Sequence, residues 1–456
     1  ERYDLATTAG GYQQMAGDYL FFDGRTSHLS EGSWGILRVH NKLQKNLKPL
    51  PGNNDSKKWK RGVVCPSGAP VKNFKVVAIN KALKFNPKTE DQIEVDFERK
   101  LILANPEGKI FALEGEATQT ASGGMPHPLT LRANIGECIK IKLTNRLKSG
   151  NASMHINNVA FDPMTSQGIN VGNNPGDQTV APGKSKTFTY YAHPDYGQTG
   201  GVVWDFGNLT GNVRDGLYGG LIIGPKGSMY RDPETGKDIT LGNSWKADVI
   251  IDKSYPENRN MSNYRDFALY FQDEDNILGT SFMPYLQNVA GLTGVNYRLE
   301  PWSYREDEGC ELGNMFTACV AADSDPATPT LKAHAGDLIM INIFGAHNEQ
   351  NQMFNVDGHQ WRRHLRQVGS DMIDVEEFGG GEWIQAEMNA GGTYSNPGTY
   401  LWLNARTPYQ QAGQWGYFKV LPAGDRSILP LGGAAQNAGK SASKGLGDDV
   451  LSMMNK

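Results

Sequence analysis

Short runs of alternating or β-branched apolar residues recur along the chain, each bounded by clusters of Gly, Pro, Asn and Asp. Lys75–Ile79 (KVVAI), Cys138–Leu143 (CIKIKL), Thr187–Tyr191 (TFTYY), Leu221–Ile223, Ala247–Ile251 and Leu338–Phe344 (LIMINIF) are examples. A period of two gives one apolar face, and turn residues at both ends keep each run short. The pattern predicts the strands of antiparallel sandwiches or barrels. Stretches of ten or more residues with helical amphipathicity are scarce, so the expected class is all-β.

Three segments repeat one another: Gly17–Val39 (GDYLFFDGRTSHLSEGSWGILRV), Gly201–Ile223 (GVVWDFGNLTGNVRDGLYGGLII) and Gly398–Val420 (GTYLWLNARTPYQQAGQWGYFKV). Each has a Gly-opened aromatic strand, an irregular polar loop, a Gly-aromatic-Gly turn and an apolar strand. A second repeat precedes two of them, Pro128–Arg146 (PLTLRANIGECIKIKLTNR) matching Pro329–Phe344 (PTLKAHAGDLIMINIF). Both read as an apolar strand, a short Gly turn with an acidic residue, and an alternating strand. The expected organisation is the end of an incomplete unit at 1–45, a linker at 46–65, and complete units at 66–228 and 229–425. A flexible or partner-docked tail at 426–456 follows. The headless first unit implies that its upstream part lies on another chain or on a removed segment.

Composition narrows the classes. The chain has 456 residues and 54 Gly without a G-X-Y period, which excludes collagen and coiled coil. A net charge of -4 gives no footprint for nucleic acid. A mean hydropathy of -0.51 and the lack of any run of about 18 apolar residues give no transmembrane helix. The chain begins at Glu1 and not at Met, which reads either as a processed terminus or as the start of a fragment. None of the four cysteines sits in a CxxC pair, which argues against zinc, thioredoxin-type and haem-c sites. Three pairings are possible. Cys65–Cys138 with Cys310–Cys319 is favoured because each pair then lies within one unit.

The phrases PHPLTLRANIGECIKIKLTNRL, DGLYGGLIIGPKGS, VDGHQW, EGSWGILRV and NYRLEPW resemble the multicopper oxidases, which are built from cupredoxin-type Greek-key β-sandwiches. The wording is most similar to the very large bacterial members associated with manganese or iron oxidation. The resemblance implies an exported protein, extracellular, cell-surface or periplasmic, in which the cysteines form disulfides. It also implies metal-ligand positions. A copper-bearing end hairpin carries a His-Cys-His cluster, a further His and an axial Met, since a thiolate with imidazoles makes the blue-copper centre.

Aligned on its Gly-Gln-Trp-Gly turn, the third hairpin places Leu403, Asn404 and Ala405 at the cluster, Tyr409 at the next His and Gln414 at the axial Met. In the first hairpin the same positions are Phe22, Asp23, Gly24, His28 and Ser33. In the middle unit the paired-His motifs become His155 with Asn157, and Phe206 with Asn208. On the His-rich strand of the third unit the ligand positions are Gln352, Asn355 and Asp357. Only His28 and His155 keep an imidazole, and no cysteine lies near a hairpin. The expectation is therefore no catalytic, cofactor or metal site in this chain.

Other candidates read as structural. His155, His193, His347, His359 and His364 have no HxH or HxxxH spacing. The acidic stretch from Asp371 to Glu377, with Glu382, could hold Ca²⁺ or Mn²⁺, but reads more simply as solvated carboxylates on an edge. Tyr400, Trp402, Tyr409, Trp415 and Tyr417 fit strand faces in a core. Sequons begin at Asn54, Asn151, Asn208 and Asn260.

These readings lead to one expectation. The chain is a copper-depleted cupredoxin portion of a large secreted oxidase, scaffolding copper sites carried by upstream cupredoxin domains of the same precursor or of a homologous chain. Two alternatives remain open. One is a purely structural extracellular subunit of a coat, filament or electron-carrier assembly. The other is a copper site shared with a partner through His155 or His28.

Overall fold

The structure, a computed structural model, describes residues 9–42, 44–48, 62–88, 90, 92–96, 99–123, 125–209, 211–275, 291–317, 319 and 325–431. The expected linker falls largely outside these residues, and so do most of the expected tail and the sequon at Asn54.

Every strand expected from the hydrophobic pattern is present. Cys138–Asn145 buries Ile139, Ile141 and Leu143 and exposes Lys140 and Lys142, as period two requires. Leu338–His347 behaves differently, being buried almost throughout. Its Ile339, Ile341 and Ile343 pack inside its own sandwich, while Phe344 joins the core shared with the middle unit. A strand covered on both faces reads as a continuous apolar run. The α-helices among the described residues are four and short, none longer than six residues. None is long and apolar enough to cross a membrane.

The middle unit is a sandwich of two sheets. One has the order Ala160–Phe161, Ser185–Tyr191, Cys138–Asn145, Val71–Asn80, Lys109–Leu113. The other runs His155–Ile156, Thr199–Trp204, Tyr218–Gly224, Leu129–Asn134. Phe74, Val76, Leu131, Ile141, Phe188 and Leu221 fill the space between them. The third unit repeats the plan. One sheet is Leu331–His334, Trp415–Leu421, Gly398–Asn404, Gln352–Val356, Val375–Phe378, and it faces a sheet containing Tyr264–Asp275, Leu338–His347 and Trp383–Asn389. Strands Gln92–Asp96 and Arg99–Ile102 lie in the sequence of the middle unit, yet they extend this last sheet by pairing with Gly291–Val295. The pairing therefore crosses the boundary expected at 228/229.

All three repeated segments are antiparallel hairpins. Gly17 pairs with Val39 and Gly398 with Val420, whereas Gly201 pairs with Leu221. The middle loop is thus two residues longer, which the equal lengths of the three segments conceal. Both favoured disulfides, Cys65–Cys138 and Cys310–Cys319, are present.

The two sandwiches share a buried interface. Arg132 of the middle unit donates to Asp266 of the third through Nε at 2.8 Å and Nη2 at 2.7 Å, and both residues are at most 2% exposed. Asn342 Nδ2 donates to the other Asp266 carboxylate oxygen at 2.5 Å, and Arg132 Nη1 donates to the Ser244 carbonyl. Beside them Tyr270 stacks on Phe344 with centroids 4.6 Å apart. Gly220 is required there, since a Cβ would lie 2.6 Å from the Tyr270 hydroxyl. Removing one partner of such a pair leaves a buried charge without compensation. Arg132→Ala should cost about 3–5 kcal/mol of stability, read as a large fall in urea midpoint. A loss below about 1 kcal/mol, the scale of an exposed pair, would show that the pair does not hold the interface.

Candidate functional site

The three hairpin loops share one hydrogen-bond scheme. The residue that follows the closing pair of each hairpin is Asp23, Asp205 or Asn404. In each case its side-chain oxygen accepts from the backbone N–H two residues on: Arg25 at 2.9 Å, Gly207 at 2.8 Å and Arg406 at 3.1 Å. This is the Asx turn for which short polar side chains are suited. In the first and third hairpins the same residue donates its N–H across the loop, Asp23 to the Ser33 carbonyl at 3.0 Å and Asn404 to the Gln414 carbonyl at 2.9 Å. Ser33 N–H donates to the His28 carbonyl at 2.9 Å, and Gln414 N–H to that of Tyr409 at 2.9 Å. Positions 23, 28 and 33 are thus the geometric counterparts of 404, 409 and 414.

The third loop brings Gln352, Asn404, Tyr409 and Gln414 together, all fully buried. Asn404 Nδ2 donates to Gln352 Oε1, and to Gln414 Oε1 at 2.7 Å. Gln414 Nε2 donates to Thr293 Oγ1 at 2.6 Å and to the Gln272 carbonyl at 3.1 Å. Gln352 Nε2 donates to Asp273 and to the Gln350 carbonyl. Asp273, buried at the far side of the cluster, also accepts from Glu349 N–H at 2.6 Å. Burial pushes its carboxyl up to about 7, against the lowering effect of these donors. The Tyr409 phenol lies beside Asp273, and burial with that neighbouring carboxyl raises the phenol further above its ordinary value. Leu403 and Ala405 flank the cluster without joining it, Ala405 donating its N–H to the Met353 carbonyl.

A second group forms where the first hairpin meets the middle unit. Phe22 packs against Trp204 and Phe206 at centroid distances of 5.4 and 5.5 Å, and Phe206 lies 5.4 Å from the His155 ring. His155 is buried, which pushes its imidazole toward the neutral form, and its Nδ1 lies 2.7 Å from the Gln167 carbonyl. Asn157 Nδ2 donates to the Gly381 carbonyl of the third unit at 3.1 Å. Asp205, which the sequence reading passed over, anchors the loop by accepting from Ser153 N–H at 2.5 Å and Asn212 Nδ2 at 2.7 Å. Burial lifts its carboxyl to about 6. Asn208 stands apart on the same loop, accepting from Gly211 N–H.

Other expected positions are scattered. His28 Nδ1 lies 2.9 Å from Asp23 Oδ2 at a partly exposed site, and Gly24 abuts the Gly380 backbone. Asn355 donates to the Asp374 carbonyl, and burial raises the Asp357 carboxyl. His359 is committed at both ring nitrogens, with the Asp357 carbonyl at Nδ1 and Gly391 N–H donating to Nε2. His193 stacks on Tyr12, while burial pushes His347 down to about 4. In the acidic stretch, Glu376 accepts from Trp361 Nε1 and Glu377 from Asn351. No group of three or more His, Cys, Asp or Glu able to hold a metal exists among the described residues. Trp402 and Trp415 are core residues whose indole N–H groups reach the Pro329 and Glu300 carbonyls.

The residues present do not fit a blue copper ion. Such a centre needs a thiolate and neutral imidazoles. Both disulfides consume the cysteines, and the cluster around Asn404 offers amides already hydrogen-bonded to one another.

Residues 107–228 match the family model for multicopper oxidases. Among solved structures, the copper nitrite reductase of Nitrosomonas europaea is similar at 12% identity with a TM-score of 0.50, covering 78% of this chain and 96% of that one. A multicopper oxidase is similar at 16% identity and TM-score 0.45, covering 78% and 92%. The blue copper oxidase of Nitrosomonas europaea stands at 14% and 0.44, covering 77% and 86%. No curated protein matches by sequence. The fold is accordingly all-β and cupredoxin-like, and the match to the multicopper-oxidase model lies within the middle unit.

Asp273 gives the cluster a pH signature. Its folded carboxyl titrates above its unfolded value of 3.8, near 7, so its contribution is complete at low pH and is lost as pH rises between these values. His347, shifted the opposite way, contributes a rise with pH between about 4 and 6.5, so only the difference between variant and parent isolates Asp273. Asp273→Asn should abolish that part of the decline, its stability relative to the parent increasing from pH 4 to pH 7.5. Urea midpoints across the range measure it, and parallel curves would refute the assignment.

Proposed function

We propose that this chain is a copper-free, cupredoxin-like portion of a large bacterial oxidase of the manganese- or iron-oxidising kind, exported from the cytoplasm. It acts as a scaffold for copper-bearing cupredoxin domains elsewhere in the same protein or assembly. What supports the reading most is the buried amide cluster of Gln352, Asn404 and Gln414, whose donors and acceptors satisfy each other where the resemblance places copper ligands. The aromatic filling by Phe22, Trp204 and Phe206 supports it at the second set of positions. In the amide cluster a metal would have to displace groups that already satisfy each other.

Loading the purified chain with copper, removing excess by dialysis and measuring metal by mass spectrometry should find well under one copper per chain. No intense blue band should appear. Stoichiometric retained copper or such a band would overturn the reading. Export accords with the two disulfides, since such bonds persist in oxidising compartments. Reduction under native conditions should lower stability by about 2–4 kcal/mol, read from urea midpoints with and without dithiothreitol. An unchanged midpoint with both bonds demonstrably reduced would remove that support.

A further inference from the structure

The second strands of the first and third hairpins carry nearly the same sequence, Trp34-Gly-Ile-Leu-Arg-Val39 and Trp415-Gly-Tyr-Phe-Lys-Val420. Their environments are opposite. Trp415, Tyr417 and Phe418 are 0%, 5% and 0% exposed, whereas Trp34, Ile36 and Leu37 are 52%, 37% and 40% exposed. Phe21, paired with Gly35, is exposed as well. The difference lies in the neighbouring strand. Trp415–Leu421 pairs on its outer edge, in parallel, with Leu331–His334, and Tyr218–Gly224 pairs likewise with Leu129–Asn134. Among the described residues, Trp34–Val39 pairs only with Gly17–Phe22.

The two occupied edges share one register. Leu331 stands opposite Phe418 and Ala333 opposite Val420, while Leu131 stands opposite Leu221 and Ala133 opposite Ile223. Taking Phe22–Trp34, Trp204–Tyr218 and Leu403–Trp415 as equivalent closing pairs, Leu37 corresponds to Phe418 and Leu221, and Val39 to Val420 and Ile223. An edge of unpaired N–H and C=O groups beside exposed apolar side chains is a template for strand addition.

We infer that the outer edge of Trp34–Val39 is the docking site for a parallel Leu-x-Ala strand from the first half of another cupredoxin-type sandwich. That strand sets its Leu opposite Leu37 and its Ala opposite Val39, covering Trp34, Ile36 and Leu37 and completing the first unit. A second copy of this chain has no such strand to spare, because its 129–134 and 331–334 strands are already paired within their own sandwiches. The inference stands on the repeat geometry alone, so it holds whether or not copper binds, and the metal measurement leaves it untouched.

The test uses the full chain and a fluorescent synthetic peptide spanning Pro128–Arg146 with Cys138→Ser, which carries the Leu-x-Ala strand, its Gly turn and the return strand. Saturable binding is expected, about tenfold weaker or more for Leu37→Lys, a solvent-exposed position where the fold tolerates the change. Trapping should confirm the register: Leu37→Cys should form a mixed disulfide with a Leu131→Cys peptide in preference to an Arg132→Cys peptide, whose cysteine points to the other face. Absence of binding, equal binding by the Leu37→Lys variant, or preference for the Arg132→Cys peptide would overturn the inference. So would a dimer of the chain alone that Leu37→Lys dissolves, since the occupant would then be a second copy.

Discussion

Desolvation is the constraint on which the rest of the site depends. A sandwich core excludes water, so any polar atom placed there must find a partner within the protein or cost free energy comparable to a lost hydrogen bond. In the third unit four polar side chains meet in the interior: Asn404 and Gln414 from the ends of the hairpin loop, Gln352 from the neighbouring strand and, from the facing sheet, Asp273. A bound metal would compensate such groups by coordination. Here the compensation is a closed chain of amide and carboxyl hydrogen bonds extending to Thr293 and to the backbone of Glu349. Burial raises the Asp273 carboxyl toward neutrality. Near the first hairpin the space is filled instead by the rings of Phe22, Trp204 and Phe206, and the His155 imidazole is met by the Gln167 carbonyl.

Loop shape and loop lining are therefore separable. The Asx turns at Asp23, Asp205 and Asn404 fix the path of each loop from its first residue, and the cross-loop bond from positions 23 and 404 fixes its closure. The cross-loop bonds use backbone atoms alone, and the Asx turns use only the short side chain that opens each loop. A loop built this way keeps its course while its lining exchanges imidazole for phenol or amide. The buried Arg132–Asp266 pair and the double-faced strand Leu338–His347 do the corresponding work between the sandwiches, and the first hairpin leans on that pair of units. Asp18 accepts from Asn173 N–H and from Arg38, holding the hairpin against the middle unit although, among the described residues, it pairs with no further strand.

Much of this was legible in the sequence, and the reasons are local. Alternation in Cys138–Asn145 reports one covered face, and Gly and aromatic residues at matching offsets report three equivalent turns, so strands, hairpins and repeat order could be read directly. The resemblance singled out Asn404, Tyr409 and Gln414 through the alignment of one turn and Gln352 through a separate strand motif, while their meeting in one cluster is a matter of tertiary packing. Asp273 was not legible, because an acidic residue in an apolar strand carries no mark of whether it faces solvent or a neighbouring loop. Asp205 was passed over because in the repeated segments it lies two residues earlier than Asp23 and Asn404, and only the register of the middle hairpin, with its longer loop, makes the three positions equivalent. The insertion of the strands Gln92–Asp96 and Arg99–Ile102 into the third unit's sheet could not be foreseen either, since pairing between distant segments leaves no periodicity in the sequence.

The contrast between Trp34 and Trp415 carries the point further. Six residues of nearly the same pattern form the same hairpin strand in both places, so the local sequence determines turn, register and backbone course. Burial is decided elsewhere, by whether a parallel strand and a facing sheet are present to cover the side chains. An aromatic strand written for a core but left at a surface keeps its apolar side chains in water, at a cost of roughly 25 cal/mol for each Å² uncovered. Edges that function alone are usually blunted by charge, proline or a bulge. Trp34–Val39 has Arg38 alone for this purpose, and Arg38 is already engaged with Asp18. The strand thus has the chemistry of an interior element, and its exposure is a property of what surrounds it.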